Sequence, residues 1–405
     1  MDYYGIEYLR KKLIQKQPRV NLRYDFYEMK NKVEDFNIAI PANWKWLTAC
    51  LGWSTKAVDS LANRLSFRNF AEDNFNMNEI FRLNSHDVFF RSSIVSACIA
   101  SCCFVYIFRD TDGFPKLQVI DAYDATGIID STTMLLSEGY AVLDRDKETG
   151  KPTVEAYFTA EETVYFDSDG NVTRRIPNPA PYPLLVPIVF RPDARRPFGH
   201  SRITRACIGV QQAALRELKR IEVTAEFYSF PQKYVTGLSP DNEMMDKWRA
   251  TISSMLQFTK DEDGDHPMLG QFTTQSMSPH MEQMRIYANL FAGFTDLTPD
   301  DLGFVVDNPS SAEAIRASHS NMLRTAMDAQ KTFGTGFLNA GYLAACVRDD
   351  FPYARKEVSK TIPKWDPVFE ADSAQLSGIG DAILKIQQAF PDYFTEEKLH
   401  DLTGI

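Results

Sequence analysis

Residues 199–229, GHSRITRACIGVQQAALRELKRIEVTAEFYS, decide how the rest of the chain is read. Ile203, Ala206, Val210, Ala214, Leu218, Ile221, Ala225 and Tyr228 recur at steps of three and four, the signature of one apolar helical stripe. Ser201 stands where an N-cap is expected, and Pro231 ends the run. Such a helix is roughly 40 Å long at ~1.5 Å per residue. That length suits a tall assembly better than a small globule.

Downstream, the pattern predicts a strand at 232–236, a helix at 241–258, an acidic turn from Asp261 through Asp263 to Asp265, and a strand at 268–273. A second helix over 279–294 brings the chain back, so two helices flank a small α/β insert. Residues 295–310 then form a linker whose only charges are Asp296, Asp300, Asp301 and Asp307, set among Pro299, Gly303 and Pro309. Ser310-Ser-Ala-Glu313 reads as a capping box. It opens a helix of about 35 residues, to Val347, in which Gly334, Gly336 and Gly341 predict interruption and a kink. The tail, 351–405, shows one helix at 377–390.

Upstream, Trp46, Cys50, Trp53, Ala57 and Leu61 predict a helix over 44–63, and a second follows over 85–101. Three hairpins come next: 104–109 with 117–121, 140–144 with 153–158, and 163–167 with 172–176. Each is joined by Asp/Gly-type turn residues. Pro177, Pro179, Pro181, Pro183 and Pro187 mark an extended connector. The fold class is α+β, without internal repeats.

The chain has 405 residues, 44% hydrophobic, 12% aromatic and 24% charged, which excludes disorder and implies two or three domains. Its formal charge of −10 argues against a protein that grips nucleic acid by neutralising phosphates, although Lys and Arg exceed acids in the first seventy residues. Six cysteines are too few for a disulfide scaffold and lack a second pair at metal-ligand spacing. Buried, reduced thiols are expected. The N-terminus has no secretory pattern. Residues 92–108, the most apolar stretch, carry four serines and read as a helix end followed by a strand, so no membrane span is expected.

Tests for chemistry are negative. There is no phosphate-cradling loop and no H-E-x-x-H. Gly199-His-Ser-Arg-Ile203 lacks the closing glycine of a nucleophile elbow. Histidines 86, 200, 266, 280, 319 and 400 never fall at ligand spacing. The acidic loops at 261–265 and 167–171 have glycine at the wrong position and no closing glutamate for calcium, so solvated turns are expected. Aromatics follow core periodicity and do not form a base-stacking platform. No catalytic residue, cofactor or metal is assigned.

Residues 199–206 and 226–237, with Leu297-Thr-Pro-Asp-Asp-Leu-Gly-Phe304, Asn308-Pro-Ser-Ser-Ala-Glu-Ala314 and Ile40-Pro-Ala-Asn-Trp44, resemble the portal proteins of tailed bacteriophages, siphophage type. The resemblance implies a non-enzymatic ring of about twelve subunits at one capsid vertex, a dodecamer through which double-stranded DNA is packaged and ejected without sequence specificity. It implies a wing at 1–200, a first stem helix at 201–228, a clip at 229–277, a second stem helix at 278–294, a tunnel loop at 295–310, a kinked spine helix at 311–348 and a short crown at 349–405. Asp296, Asp300, Asp301, Asp307 and Asn308 would face the DNA. Arg202, Arg205, Arg216, Lys219 and Arg220 are possible stem contacts to phosphate, or pair instead with Glu217, Glu222 and Glu226. Glu243, Asp246, Lys247 and Arg249 of the clip would meet the terminase large subunit and head-completion adaptors. Major capsid and scaffolding proteins are further implied partners, without a membrane. The protein would be made in the host cytoplasm and end in the virion.

The loop's chemistry agrees with that role. Duplex DNA carries about one negative charge per ~1.7 Å of axis, so an acidic wall lets it slide where a basic one would hold it. A solvated acidic loop remains the alternative for 295–310. Two other readings of the whole chain stay open. One is a head–tail adaptor or capsid-associated protein without a tunnel. The other is a metal-dependent hydrolase built on Asp261, Asp263 and Asp265.

Overall fold

The structure is a computed structural model and describes residues 4–34, 49–229, 233–236, 268–271, 276–304, 317–368, 373–390, 393 and 399. The chain divides into two compact units. One comprises Met1–Asn31, Gly52–Ile208 and Phe291–Ile405; the other comprises Lys32–Leu51 and Gly209–Leu290.

The first unit opens with helix α1 (Ile6–Tyr27), followed by α2 (Trp53–Ala62), strand β1 (Phe67–Ala71), α3 (Met77–Leu83) and α4 (His86–Ala100). The helix expected from Trp44 begins only at Trp53. Gly52 precedes it, residues 49–51 are not helical, and 44–48 lie outside the described residues. Cys50 is accordingly exposed, which corrects its expected burial; Cys98, Cys102, Cys103, Cys207 and Cys346 are buried free thiols. Burial lifts the Cys98 thiol to about 12.

The apolar stretch after α4 turns into strand β2 (Cys102–Arg109), which pairs antiparallel with β3 (Pro115–Asp121), Cys103 opposite Asp121 and Arg109 opposite Pro115. Five more strands form an antiparallel meander: β4 (Ala125–Ile129), β5 (Leu136–Arg145), β6 (Pro152–Phe158), β7 (Glu162–Phe166) and β8 (Val172–Pro177). All three expected hairpins are present; β4 is additional. The proline-rich stretch is a connector only in part, because Leu185–Val189 forms a wholly buried strand, β9, beside β2. Pro187 is tolerated there because β9 is the outer strand of its sheet and need not donate on both sides.

The open edge of β4 is covered by α1. Lys12 Nζ donates to Gly127 O at 2.7 Å, Lys16 Nζ donates to Ala125 O, and Gln17 Nε2 reaches Tyr123 O at 3.2 Å. Cations one helical turn apart thus occupy edge acceptors that would otherwise invite another strand. Burial pulls the Lys16 ammonium down from 10.5 to about 8, against the partial opposition of Cys102 and Asp121. Between those values the unfolded chain holds a proton that the folded chain has released, so stability rises with pH across the window. We expect the folded protein to gain about 2 kcal/mol from pH 8 to 10.5 relative to Lys16→Met, since the lysine stem is partly hydrated. Denaturation at both pH values checks this; equal gains in both proteins would contradict it.

Helix α7 (Ser320–Asp349) packs against β9 and β2. It runs unbroken through the three glycines expected to interrupt it. A Cβ at Gly336 would lie 2.8 Å from Ile188 Cδ1, at Gly341 2.9 Å from Met77 Sδ, and at Gly334 3.1 Å from Pro363 Cβ. The glycines therefore serve close packing. Strand β12 (Ile362–Trp365) returns antiparallel to β1, and Phe67, Phe90, Phe337 and Trp365 form an aromatic cluster around them. The tail helix, α8, spans Ser373–Ala389. Among the described residues no helix is long and apolar enough to cross a membrane.

Helix α5 (Arg205–Ser229) and helix α6 (Ser278–Thr295) are the two long helices flanking the insert. The second unit contains α5 from Gly209 onward and α6 as far as Leu290. It also contains an antiparallel hairpin of β10 (Lys233–Thr236) and β11 (Met268–Gln271), with Lys233 opposite Gln271 and Thr236 opposite Met268. The helix expected over 241–258 lies outside the described residues.

Candidate functional site

The start of α5 is set by Thr204. Its carbonyl accepts from Ile208 N at 3.0 Å and its hydroxyl from Cys207 N at 3.3 Å, so it is the N-cap expected at Ser201. Ser201 is buried instead, its hydroxyl donating to Ile99 O at 2.5 Å and accepting from Ile203 N at 2.9 Å. A hydroxyl so engaged is no nucleophile, and the neighbouring His200 turns to Asp193, Nε2 to Oδ2 at 2.6 Å.

Arg202, expected to reach DNA phosphate, is only 3% exposed. Its Nε donates to Ala57 O at 2.5 Å and its Nη2 to Thr295 O, with Met322 Sδ at 3.5 Å. That corrects the expectation: the guanidinium ties the end of α6 to α2 beside α7. Burial lowers its pKa, and the charge of Asp296 offsets part of that cost.

Helix α6 ends at Thr295, whose hydroxyl donates back to Phe291 O at 2.8 Å. Asp296 takes the left-handed conformation, φ 54°, and Leu297 N donates to Ala292 O at 3.2 Å. Asp296 Oδ2 accepts from Thr325 Oγ1 at 2.9 Å, fixing the loop to α7. Asp301 Oδ2 accepts from both N and Oγ1 of Thr298 at 3.0 Å, which winds Asp300–Leu302 into a 3-10 turn. Trp53 anchors the loop between Phe291 and Phe304, ring centroids 5.5 and 6.5 Å away. Of the loop's described acids, Asp300 is exposed, while Asp296 and Asp301 are half-buried and hydrogen-bonded. Asp307 and Asn308 lie outside the described residues, as do Glu243, Asp246, Lys247, Arg249 and Asp261, Asp263 and Asp265.

In the second unit, Glu217 is buried and joins the helices, its Oε1 2.5 Å from His280 Nδ1 and its Oε2 3.0 Å from Arg220 Nη1. The internal pairing weighed for Arg220 is therefore present. Lys219 is 5% exposed, and Arg216 Nη1 donates to Glu34 O at 3.2 Å. Gln211 and Gln212 donate to Leu51 O and Lys32 O, at 2.6 and 2.8 Å. Arg205, in the first unit, is exposed. Sequence periodicity gave no sign of the His280–Glu217 pair or of the Thr298 and Thr325 contacts. The signal available was the Thr298-x-x-Asp301 spacing of a self-hydrogen-bonded turn.

Among the described residues no group of three His, Cys, Asp or Glu side chains could hold a metal ion. In the 167–171 turn the Asp167 carboxylate accepts from Asp169 N and Asn171 N at 3.0 and 2.8 Å, as a turn former does.

Residues 6–382 match the family described as Phage portal protein, SPP1 Gp6-like. The chain is 24% identical over 341 residues to the portal protein of Mycobacterium phage L5, covering 79% of this chain and 69% of that one. It is 25% identical over 349 residues to the portal protein of Mycobacterium phage D29, covering 80% and 71%. A chain in the C12-symmetric neck of a native gene transfer agent particle aligns with TM-score 0.47 and 13% identity over 87% of this chain and 89% of that one.

Proposed function

This chain belongs to the phage portal protein family, SPP1 Gp6-like, and from that membership we propose that it assembles as a ring at one capsid vertex and conducts double-stranded DNA. The single observation that carries the proposal is the family match across 6–382. The order of elements agrees with it: two long helices flanking an insert that holds the β10–β11 hairpin, then an acidic turn anchored by Trp53.

In this reading α5 and α6 are the stem, residues 295–310 line the constriction, and Asp300 presents charge to passing phosphate. A carboxylate there repels the duplex and prevents it from sticking. Arg205, Arg216 and Arg220 remain as weak, transient phosphate contacts on the stem. The insert, 229–277, docks terminase during packaging and adaptors afterwards, and the residues flanking the sheets contact capsid and scaffold. Residues 349–405 form a short crown.

Asp300→Lys tests the channel. Asp300 is exposed and its side chain holds no described contact, so stability should change by no more than about 0.5 kcal/mol. Particles carrying it should assemble normally but fill with DNA about tenfold less often, because a ring of lysines retains phosphate. Normal filling would remove Asp300 from the DNA path. Asp301→Lys is the less clean variant, since it also breaks the Thr298 turn.

A further inference from the structure

The glycines of α7 each face a close neighbour; Gly209 on α5 does not. Nothing lies within 4 Å of the Cβ it lacks, and it is exposed. A glycine inside a helix weakens it relative to alanine, and nothing within the chain accounts for this one. Gly209 begins a face that continues through Ala213, Arg216 and Arg220, at steps of four and three residues, turned away from the buried Ala214 and Leu215. That face is a shallow hollow followed by two cations.

Helix α6 carries the counterpart. Opposite its buried Met284 and Ala288 stand Leu290, Ile286 and Glu282, at steps of four, with Ile286 49% and Leu290 46% exposed. Glu282 is exposed and has no ion-pair partner among the described residues. Laid antiparallel, one register sets Leu290 over Gly209, Ile286 over Ala213, and Glu282 over position 217 between Arg216 and Arg220. Within the chain the two helices already meet antiparallel through Glu217 and His280, two residues away from that register.

We propose that the Glu282–Ile286–Leu290 ridge of one copy seats in the Gly209–Ala213 hollow of the next, with Glu282 between the two arginines. Small residues admit the ridge, as in ridges-into-grooves packing. Charge complementarity selects a second copy as the occupant: the required cations and the required carboxylate are both on this chain. DNA would be repelled by Glu282 and finds no use for the apolar ridge. The contact is heterologous, with each copy giving one face and receiving on the other, and such contacts close into rings. The proposal rests on the ring reading above and names the surface that builds the ring.

The test compares Gly209→Ala, Gly209→Leu, Glu282→Arg and the Arg216→Glu/Glu282→Arg pair in the full chain, reading ring and monomer populations by mass photometry and helix stability by circular dichroism. Gly209→Ala should leave melting unchanged or raised while reducing rings; Gly209→Leu should reduce rings about tenfold or more. Glu282→Arg should reduce them and the double exchange should restore them. Rings as abundant in Gly209→Leu and Glu282→Arg as in the unsubstituted chain overturn this interface and leave the ring reading standing. An unsubstituted chain that stays monomeric overturns both.

Discussion

Arg202→Ala is expected to destabilise the first unit by about 3 kcal/mol, because it strands two buried carbonyl oxygens and leaves a cavity where the guanidinium lay. The affected acceptors are Ala57 O on α2 and Thr295 O at the end of α6. Arg202→Lys should recover only part of the loss: one ammonium at the end of a flexible stem cannot reproduce the planar fork that meets both carbonyls. Trp53 neighbours both the α6 end and the loop, so its fluorescence during urea unfolding is a suitable probe. A change below about 0.5 kcal/mol, the range of an ordinary surface substitution, would show that the arginine is not the tie described.

The second large effect belongs to Gly199→Ala, for which we expect a loss of about 4 kcal/mol or failure to fold. Gly199 has φ 74°, and a Cβ there would sit 2.1 Å from Phe190 O and 2.7 Å from Val189 Cγ1. Phe190 O cannot retreat freely, since it accepts from His200 N at 2.9 Å while Phe190 N donates to Ser101 O at 2.9 Å. Gly113→Ala is the control. It shares the positive φ, 78°, but has open space around it, so only the conformational cost of about 1 kcal/mol should appear. Equal effects at the two positions, measured by thermal melting, would refute the steric account.

Both substitutions act at the junction where the sequence was most readable and yet misleading in detail. The stripe from Ile203 to Tyr228 announced a helix because one face of it is apolar at the helical period. Periodicity could not say that Thr204, not Ser201, caps it, since either hydroxyl satisfies the local rule. The choice is tertiary: Ser201 is drawn into the core by Ile99 O. Arg202 illustrates the same limit. A cation beside a helix start reads as surface, and only folding brings two unmatched carbonyls within its reach.

The hairpins were legible because their turns carry Asp and Gly at fixed offsets. β9 was hidden by its prolines, whose penalty vanishes at a sheet edge. In α7 the glycines read as helix breakers because sequence shows their intrinsic cost but not the side chains of Ile188 and Met77 packed against them. At the candidate site, the acidic character of 295–304 was visible from composition. Which carboxylates point outward was not, since Asp296 and Asp301 are drawn into hydrogen bonds by Thr325 and Thr298 while Asp300 is left outside.

The central claim is that copies of this chain close around an axial passage. Electron micrographs of the purified full-length protein viewed end-on, with the particle mass measured in parallel, test it most directly. The account predicts rings with a central hole and a mass on the order of half a megadalton, about twelve copies of a 46.1 kDa chain. Monomers of 46.1 kDa at every concentration, or a closed oligomer with no hole along its axis, would contradict it.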